Sequence, residues 1–276
     1  MRNSSSPSIR SWLTTGIERS NTLSNLLLVG IIVASWWFVA MGAGTGMSTL
    51  AMTSWQFPLP ELSAMTFGGW SYGYGLTMLI MWWVMMIAMM LPSASPMILL
   101  FSRVYRHQCK PASARGHNPA LLLFLGGYLL LWLVFSLAAV GLQWFLEMRQ
   151  LLHPMMMWAS SHSLSAALLL FAGIYQLTPL KQRCLHQCQF PAQFLSTHWR
   201  PGLTGVFQLG VKHGLYCVAC CSPLMLLLFV GGAMNLVWIL GLTVWILVEK
   251  LVPHPWIRYA SGGVLIAAAA YLFFAN

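Results

Sequence analysis

Residues 120–146 read ALLLFLGGYLLLWLVFSLAAVGLQWFL, a stretch without a single charged side chain. A helix needs about 20 consecutive apolar residues to cross the hydrocarbon core of a bilayer, so this stretch predicts a transmembrane helix. The whole chain has the same character, since 58% of its 276 residues are hydrophobic and 7% are charged. Soluble domains carry about 25% charged residues. The composition therefore predicts an all-α integral membrane protein surrounded by a lipid bilayer.

Further apolar segments of similar length predict a polytopic transmembrane helical bundle with about seven spans. Residues 1–22 are polar and are expected to form a cytoplasmic amino-terminal segment. Residues 23–276 are expected to form a single transmembrane helical domain. The predicted spans are residues 23–42, 77–101, 120–146, 163–180, 212–231, 233–250 and 259–275.

The basic residues orient these spans. If seven spans alternate, 12 of the 14 Lys and Arg fall on one side, and only Arg149 lies in a loop on the other. Loops rich in Lys and Arg stay in the cytoplasm, so the amino terminus is predicted inside, in the inner membrane of a bacterium. The net charge of +10 is then explained by topology, and no nucleic-acid partner is expected.

The segment HGLYCVACC carries the clearest chemical signal. Positions i, i+4 and i+7 or i+8 share one face of a helix, so His213, Cys217 and Cys220 or Cys221 form one stripe. Thiolates and imidazole favour Cu(I) or Zn(II) over hard cations. A single buried cysteine is often only a small apolar residue. Three cysteines within five residues, one turn from a histidine, favour a metal or thiol function.

Two other groups of sulfur atoms are candidate ligands. Cys184 and Cys188 are four residues apart in a predicted inner loop, and a helix there would let them clamp one soft ion. Met85 and Met89 belong to a face of methionines in the second predicted span, and thioethers also suit Cu(I). The alternative for the methionines is ordinary packing, since Met is a flexible residue that fills gaps.

Glu249 is one of only four acidic residues. Ionisable residues inside a membrane are costly and usually paired. Counting from a turn at residues 231–232 places Glu249 level with Lys212 and His213 near the inner face of the membrane, so these two are the predicted partners. The cysteines would lie deeper, in the inner half of the membrane. Lys212 would also offset the single negative charge of two thiolates that hold one Cu(I).

These motifs resemble those of a family of bacterial integral membrane proteins that are described as predicted metal-binding and contain a domain of unknown function. The resemblance covers roughly residues 77–255, and its motifs occur in the expected order. It implies metal binding, with copper handling the usual inference. The matching segments are residues 81–97, 181–191, 199–202, 213–225 and 249–251.

The leading hypothesis is therefore a membrane protein that binds Cu(I) and exchanges it with a metal-donor or metal-acceptor protein. Two alternatives stay open: an accessory or assembly subunit of a membrane complex, and a protein for thiol–disulfide exchange through Cys217 and Cys220. The sequence contains no phosphate-binding loop and no carboxylate pair, so no catalytic residues are predicted.

Overall fold

The computed structural model describes residues 9–44, 48–54, 57, 69–108 and 117–274. The all-α prediction is confirmed for these residues, among which no β-strand occurs. Their helices are α1 (Ile9–Ala40), α2 (Tyr72–Gln108), α3 (His117–Met148), α4 (His162–Leu177), α5 (Pro179–Gln189), α6 (Pro191–His198), α7 (Gly202–Met225), α8 (Leu228–Gly231), α9 (Leu236–Leu251) and α10 (Pro255–Phe274).

Four helical stretches in the described part of the chain are long and apolar enough to cross a membrane. They are Tyr72–His107, Pro119–Met148, Gly202–Gly231 and Pro255–Phe274. Helices α4 and α5 would give a fifth if they form one span, although they meet at 68°. Helix α9 has 16 residues, which span only about 24 Å. Seven spans and a cytoplasmic amino terminus stay predictions.

The bend between α4 and α5 lies at Thr178 and Pro179. Proline has no N–H to continue the hydrogen bonding of α4, and it suits the first position of a new helix. The Thr178 hydroxyl donates to the Tyr175 carbonyl at 2.7 Å and accepts from the Lys181 N–H at 3.3 Å. This threonine therefore caps both helices. The bend brings α5 into contact with α7 and α9.

Helices α3 and α7 approach each other closely because glycines face the contact. A Cβ atom on Gly210 of α7 would lie 2.2 Å from the Phe124 carbonyl oxygen of α3. A Cβ atom on Gly127 of α3 would lie 2.5 Å from the Phe207 carbonyl oxygen of α7. Small residues at such contacts let two membrane helices pack backbone to backbone. This packing fixes α7, which carries three of the cysteines, against α3.

Candidate metal centre

Four cysteine thiols meet in the interior of the bundle. Cys217, Cys220 and Cys221 of α7 are buried, and the sulfurs of Cys220 and Cys221 are 3.2 Å apart. Cys221 also contacts the thiol of Cys217. Cys188 of α5 completes the group, because its thiol lies close enough to interact with those of both Cys217 and Cys220. We call Cys188, Cys217, Cys220 and Cys221 the thiol ring.

Cys188 and Cys184 have different surroundings, although the sequence suggested that they act as a pair. Cys184 lies one turn before Cys188 on α5 and is buried. The contacts that join Cys188 to the ring do not include Cys184. The bend at Thr178 turns α5 so that Cys188 reaches the cysteines of α7. Cys188 is thus brought to the cysteines of α7, from which the sequence separated it, and the predicted ligand role of Cys184 stays a prediction.

A lysine and a tyrosine contact the ring at Cys217. The Lys250 ammonium of α9 donates to the Cys217 sulfur at 3.1 Å and to the Ser93 hydroxyl of α2 at 2.8 Å. The Tyr128 hydroxyl of α3 lies 3.2 Å from the same sulfur and 3.4 Å from the Met90 carbonyl oxygen. An ammonium beside a sulfur stabilises negative charge on that sulfur. Cys217 is therefore the ring member best placed to carry a thiolate.

His213 lies one turn before Cys217 and is 2% exposed. Its ring stacks on Tyr128 and Phe124 and meets Phe194 edge-on, with centroid distances of 5.6, 6.2 and 5.5 Å. Its Nδ1 atom is buried and has no hydrogen-bond partner among the described residues. A buried polar atom without a partner is costly. This nitrogen is thus a candidate fifth donor atom beside the thiols.

Glu249 accepts from four donors just beyond the ring. Lys181 donates at 2.7 Å to one carboxylate oxygen. Gln176, Trp245 and Ser261 donate to the other at 2.7, 3.1 and 3.2 Å. The carboxylate thereby joins α4, α5, α9 and α10, and both members of its ion pair are buried.

The charge partners therefore differ from the prediction. Glu249 pairs with Lys181 rather than with Lys212 or His213, and Lys250 rather than Lys212 approaches the thiols. Counting residues along straight helices misses the bend that carries Lys181 inward. The sequence contained one indication that Glu249 and Lys250 have separate partners. They are adjacent ionisable residues in an apolar helix, so their side chains point about 100° apart. Each buried charge therefore needs a partner of its own.

The predicted methionine ligands lie in the core. Met85 and Met89 are both 0% exposed. Helix α2 does not bond to the ring thiols in the described contacts, but Ser93 and the Met90 carbonyl bond to Lys250 and Tyr128, the two partners of Cys217. Helices α3 and α9 each contact both α2 and α7. The described hydrogen bonds of the ring do not involve the two thioethers. Their role as ligands stays a prediction.

The ring has donors suited to a soft cation, although its thiols touch one another. A tetrahedral ion with metal–sulfur bonds of about 2.3 Å separates its sulfurs by about 3.8 Å, compared with 3.2 Å between Cys220 and Cys221. Accordingly, no three His, Cys, Asp or Glu side chains of the described residues surround a common point in metal-binding geometry. Entry of an ion would require these two sulfurs to separate by roughly half an ångström.

A family model described as "PpoB2: Copper chaperone" matches residues 79–272. The matched region runs from α2 to α10 and contains the thiol ring, His213, Lys250 and the Glu249 network. No curated protein and no solved structure matches the chain.

Proposed function

Since the chain belongs to the PpoB2 family of copper chaperones, we propose that it binds Cu(I) in the membrane through the thiol ring and hands the ion to a partner protein. The observation that carries this proposal is the convergence of four thiols from two helices, with an ammonium on one of them. Thiolates are soft ligands, and Cu(I) is a soft cation. His213 is the proposed additional ligand, and Met85 and Met89 are proposed as thioether ligands nearby.

The charge of the site supports a monovalent cargo. Two thiolates and one Cu(I) carry a single negative charge, and the Lys250 ammonium neutralises it. An unpaired charge in the bilayer centre would cost at least ~2.5–3.5 kcal/mol. Zn(II) is the alternative cargo, since it also binds thiolate and imidazole.

The proposed location is the inner membrane, with seven spans and the amino terminus in the cytoplasm. The support is the asymmetry of the Lys and Arg residues, 12 of which fall on one side of that arrangement. Thiols stay reduced in the cytosol, which suits a ring that opens toward it. The ion would then come from, or go to, a cytosolic or membrane-bound metal protein.

The test is the Cu(I) stoichiometry of the purified, reduced chain, measured by competition with a chromophoric Cu(I) chelator. We expect the Cys217→Ser/Cys221→Ser variant to lose high-affinity binding. The matched control is Cys184→Ser, which removes a buried thiol outside the ring and should bind as the parent does. If the double variant folds and keeps its stoichiometry, the ring is not the site.

The same preparation separates the two other hypotheses. Thiol–disulfide exchange predicts a dithiol that cycles between oxidised and reduced forms without metal. An accessory subunit predicts co-purification of partner subunits and no tight Cu(I) binding.

A further inference from the structure

Helix α5 presents two different faces. Lys181, Cys184, Leu185 and Cys188 follow a spacing of three or four residues, which puts them on one face of the helix. The first three are buried, and Cys188 is partly buried. The other face carries exposed Gln182, Arg183 and His186. Thus α5 covers the site with one face and exposes the other, where the Gln182 side chain accepts from Arg258 of α10 at 3.3 Å. Of the four ring cysteines, Cys188 alone lies on this short helix and is not fully buried.

Glu249 holds both ends of this helix. Its carboxylate accepts from Lys181 in the first turn of α5 at 2.7 Å. Its backbone carbonyl accepts from the Gln189 side-chain amide, in the last turn, also at 2.7 Å. That carbonyl is available because its helical partner four residues on would be Pro253, which has no N–H. One residue of α9 thus fastens the helix at two points, next to Lys250.

We propose that the ion pair of Glu249 and Lys181, which we call the latch, positions Cys188 in the thiol ring. Copper then enters and leaves the ring through Cys188 when α5 moves away from α7 and α9. This inference rests on the proposed function for its copper step. Lys181, Gln189 and Glu249 supply no donor atom to the ion and are positioning residues. Cys217, Cys220 and Cys221 stay on α7 and retain the ion while Cys188 moves between the ring and an acceptor thiol.

The exchange step is a substitution of one thiolate for another. An acceptor thiol gives up its proton as its sulfur forms a bond to Cu(I), while the bond from the Cys188 sulfur breaks. The same substitution at each α7 sulfur that still holds the ion then completes the transfer. The copper remains Cu(I) and no electrons are transferred. The proton released from the acceptor thiol is taken up by Cys188. Because the ion stays bound to sulfur throughout, the step requires no free copper.

The first test needs no copper. The full chain in membrane vesicles is treated with a maleimide under reducing conditions, and the alkylation rate of each cysteine is followed by peptide mass spectrometry. Loss of one member of a buried ion pair leaves the other charge unpaired and is strongly destabilising locally. We expect Lys181→Met and Glu249→Gln to accelerate alkylation of Cys188 by at least about tenfold, while Cys217, Cys220 and Cys221 stay slow.

Two further variants separate the latch from general loss of structure. Arg183→Met removes a charge from the exposed face of α5 and should leave the alkylation rate of Cys188 unchanged. The double variant Lys181→Met/Glu249→Gln removes both charges of the pair and leaves no unpaired charge. Its thermal stability should therefore exceed that of the single variants, while the alkylation of Cys188 should stay fast because the ion pair is still absent. If either single variant fails to fold, Gln189→Leu provides the test. It removes only the hydrogen bond to the Glu249 backbone carbonyl and should still raise the alkylation rate of Cys188. Unchanged alkylation of Cys188 in the folded variants would overturn the latch.

The second test concerns copper. The parent and the latch variants, loaded with Cu(I), are mixed with a chromophoric chelator. We expect equal stoichiometry and release at least about tenfold faster from the variants. Equal release rates would overturn the role of Cys188 in exchange. If the parent binds no Cu(I) but the alkylation result holds, the latch stands and the proposed function fails.

Discussion

The ammonium nitrogen of Lys250 lies 3.1 Å from the sulfur of Cys217, although the two residues belong to different helices and are 33 positions apart in the chain. Both side chains are buried. This pair places a positive charge inside the bundle beside four thiols. The proposed binding of an anionic Cu(I) complex depends on this charge.

Replacing Lys250 should weaken copper binding without removing a ligand. In Lys250→Met the Cu(I) complex keeps its sulfurs but loses its counter-charge. A penalty of about 2.5–3.5 kcal/mol corresponds to a Kd raised roughly a hundredfold. Lys212→Met is the matched control, since Lys212 is only half-buried, and its Kd should stay near that of the parent. Chelator competition measures both, and equal weakening in the two variants would contradict the proposed role.

His213 can be tested with a side chain that keeps the packing. In His213→Phe the aromatic contacts with Phe124, Tyr128 and Phe194 are retained, while the buried Nδ1 atom is removed. X-ray absorption of the copper-loaded chain should then lose its nitrogen contribution and retain sulfur. His198→Phe is the control, because His198 also packs on Phe194 but is half-buried. An unaltered spectrum for His213→Phe would show that His213 is not a copper ligand.

Two adjacent glycines of α3 should respond differently to alanine. Gly127→Ala places a methyl group 2.5 Å from the Phe207 carbonyl oxygen, whereas no atom lies within 4 Å of the corresponding position at Gly126. Overpacking of this kind costs about 1–3 kcal/mol. Thermal unfolding in detergent should therefore shift downward for Gly127→Ala. Gly126→Ala should be neutral or stabilising, because Ala favours helix over Gly. Similar shifts in both variants would mean that the close contact between α3 and α7 is absent.

The predicted topology can be measured with a reporter fused after Asn276. Seven spans with a cytoplasmic amino terminus put this end in the periplasm. The paired control is a reporter at the 110–115 segment, which is predicted to lie on the inner side and should be active in the cytoplasm. A cytoplasmic carboxyl terminus would contradict seven spans and favour an even number of spans, such as six.

The sequence alone determined the features that depend on neighbours along the chain. Apolar stretches fix helices, and helical periodicity put His213, Cys217 and Cys221 on one face of α7, where the structure also buries them together. The soft donors pointed to copper before any fold was known, in agreement with the family match.

Only the tertiary structure decided which residues complete the site. Cys188 joins the ring because α4 ends at Leu177 and the chain bends by 68° at Thr178 and Pro179 before α5. Periodicity does not encode this angle. The partners of Glu249 and Lys250 depend on that bend and on the approach of α3 and α7 at their glycines. Residue spacing describes depth along a straight helix, whereas the partner of a buried charge is set by how the helices cross.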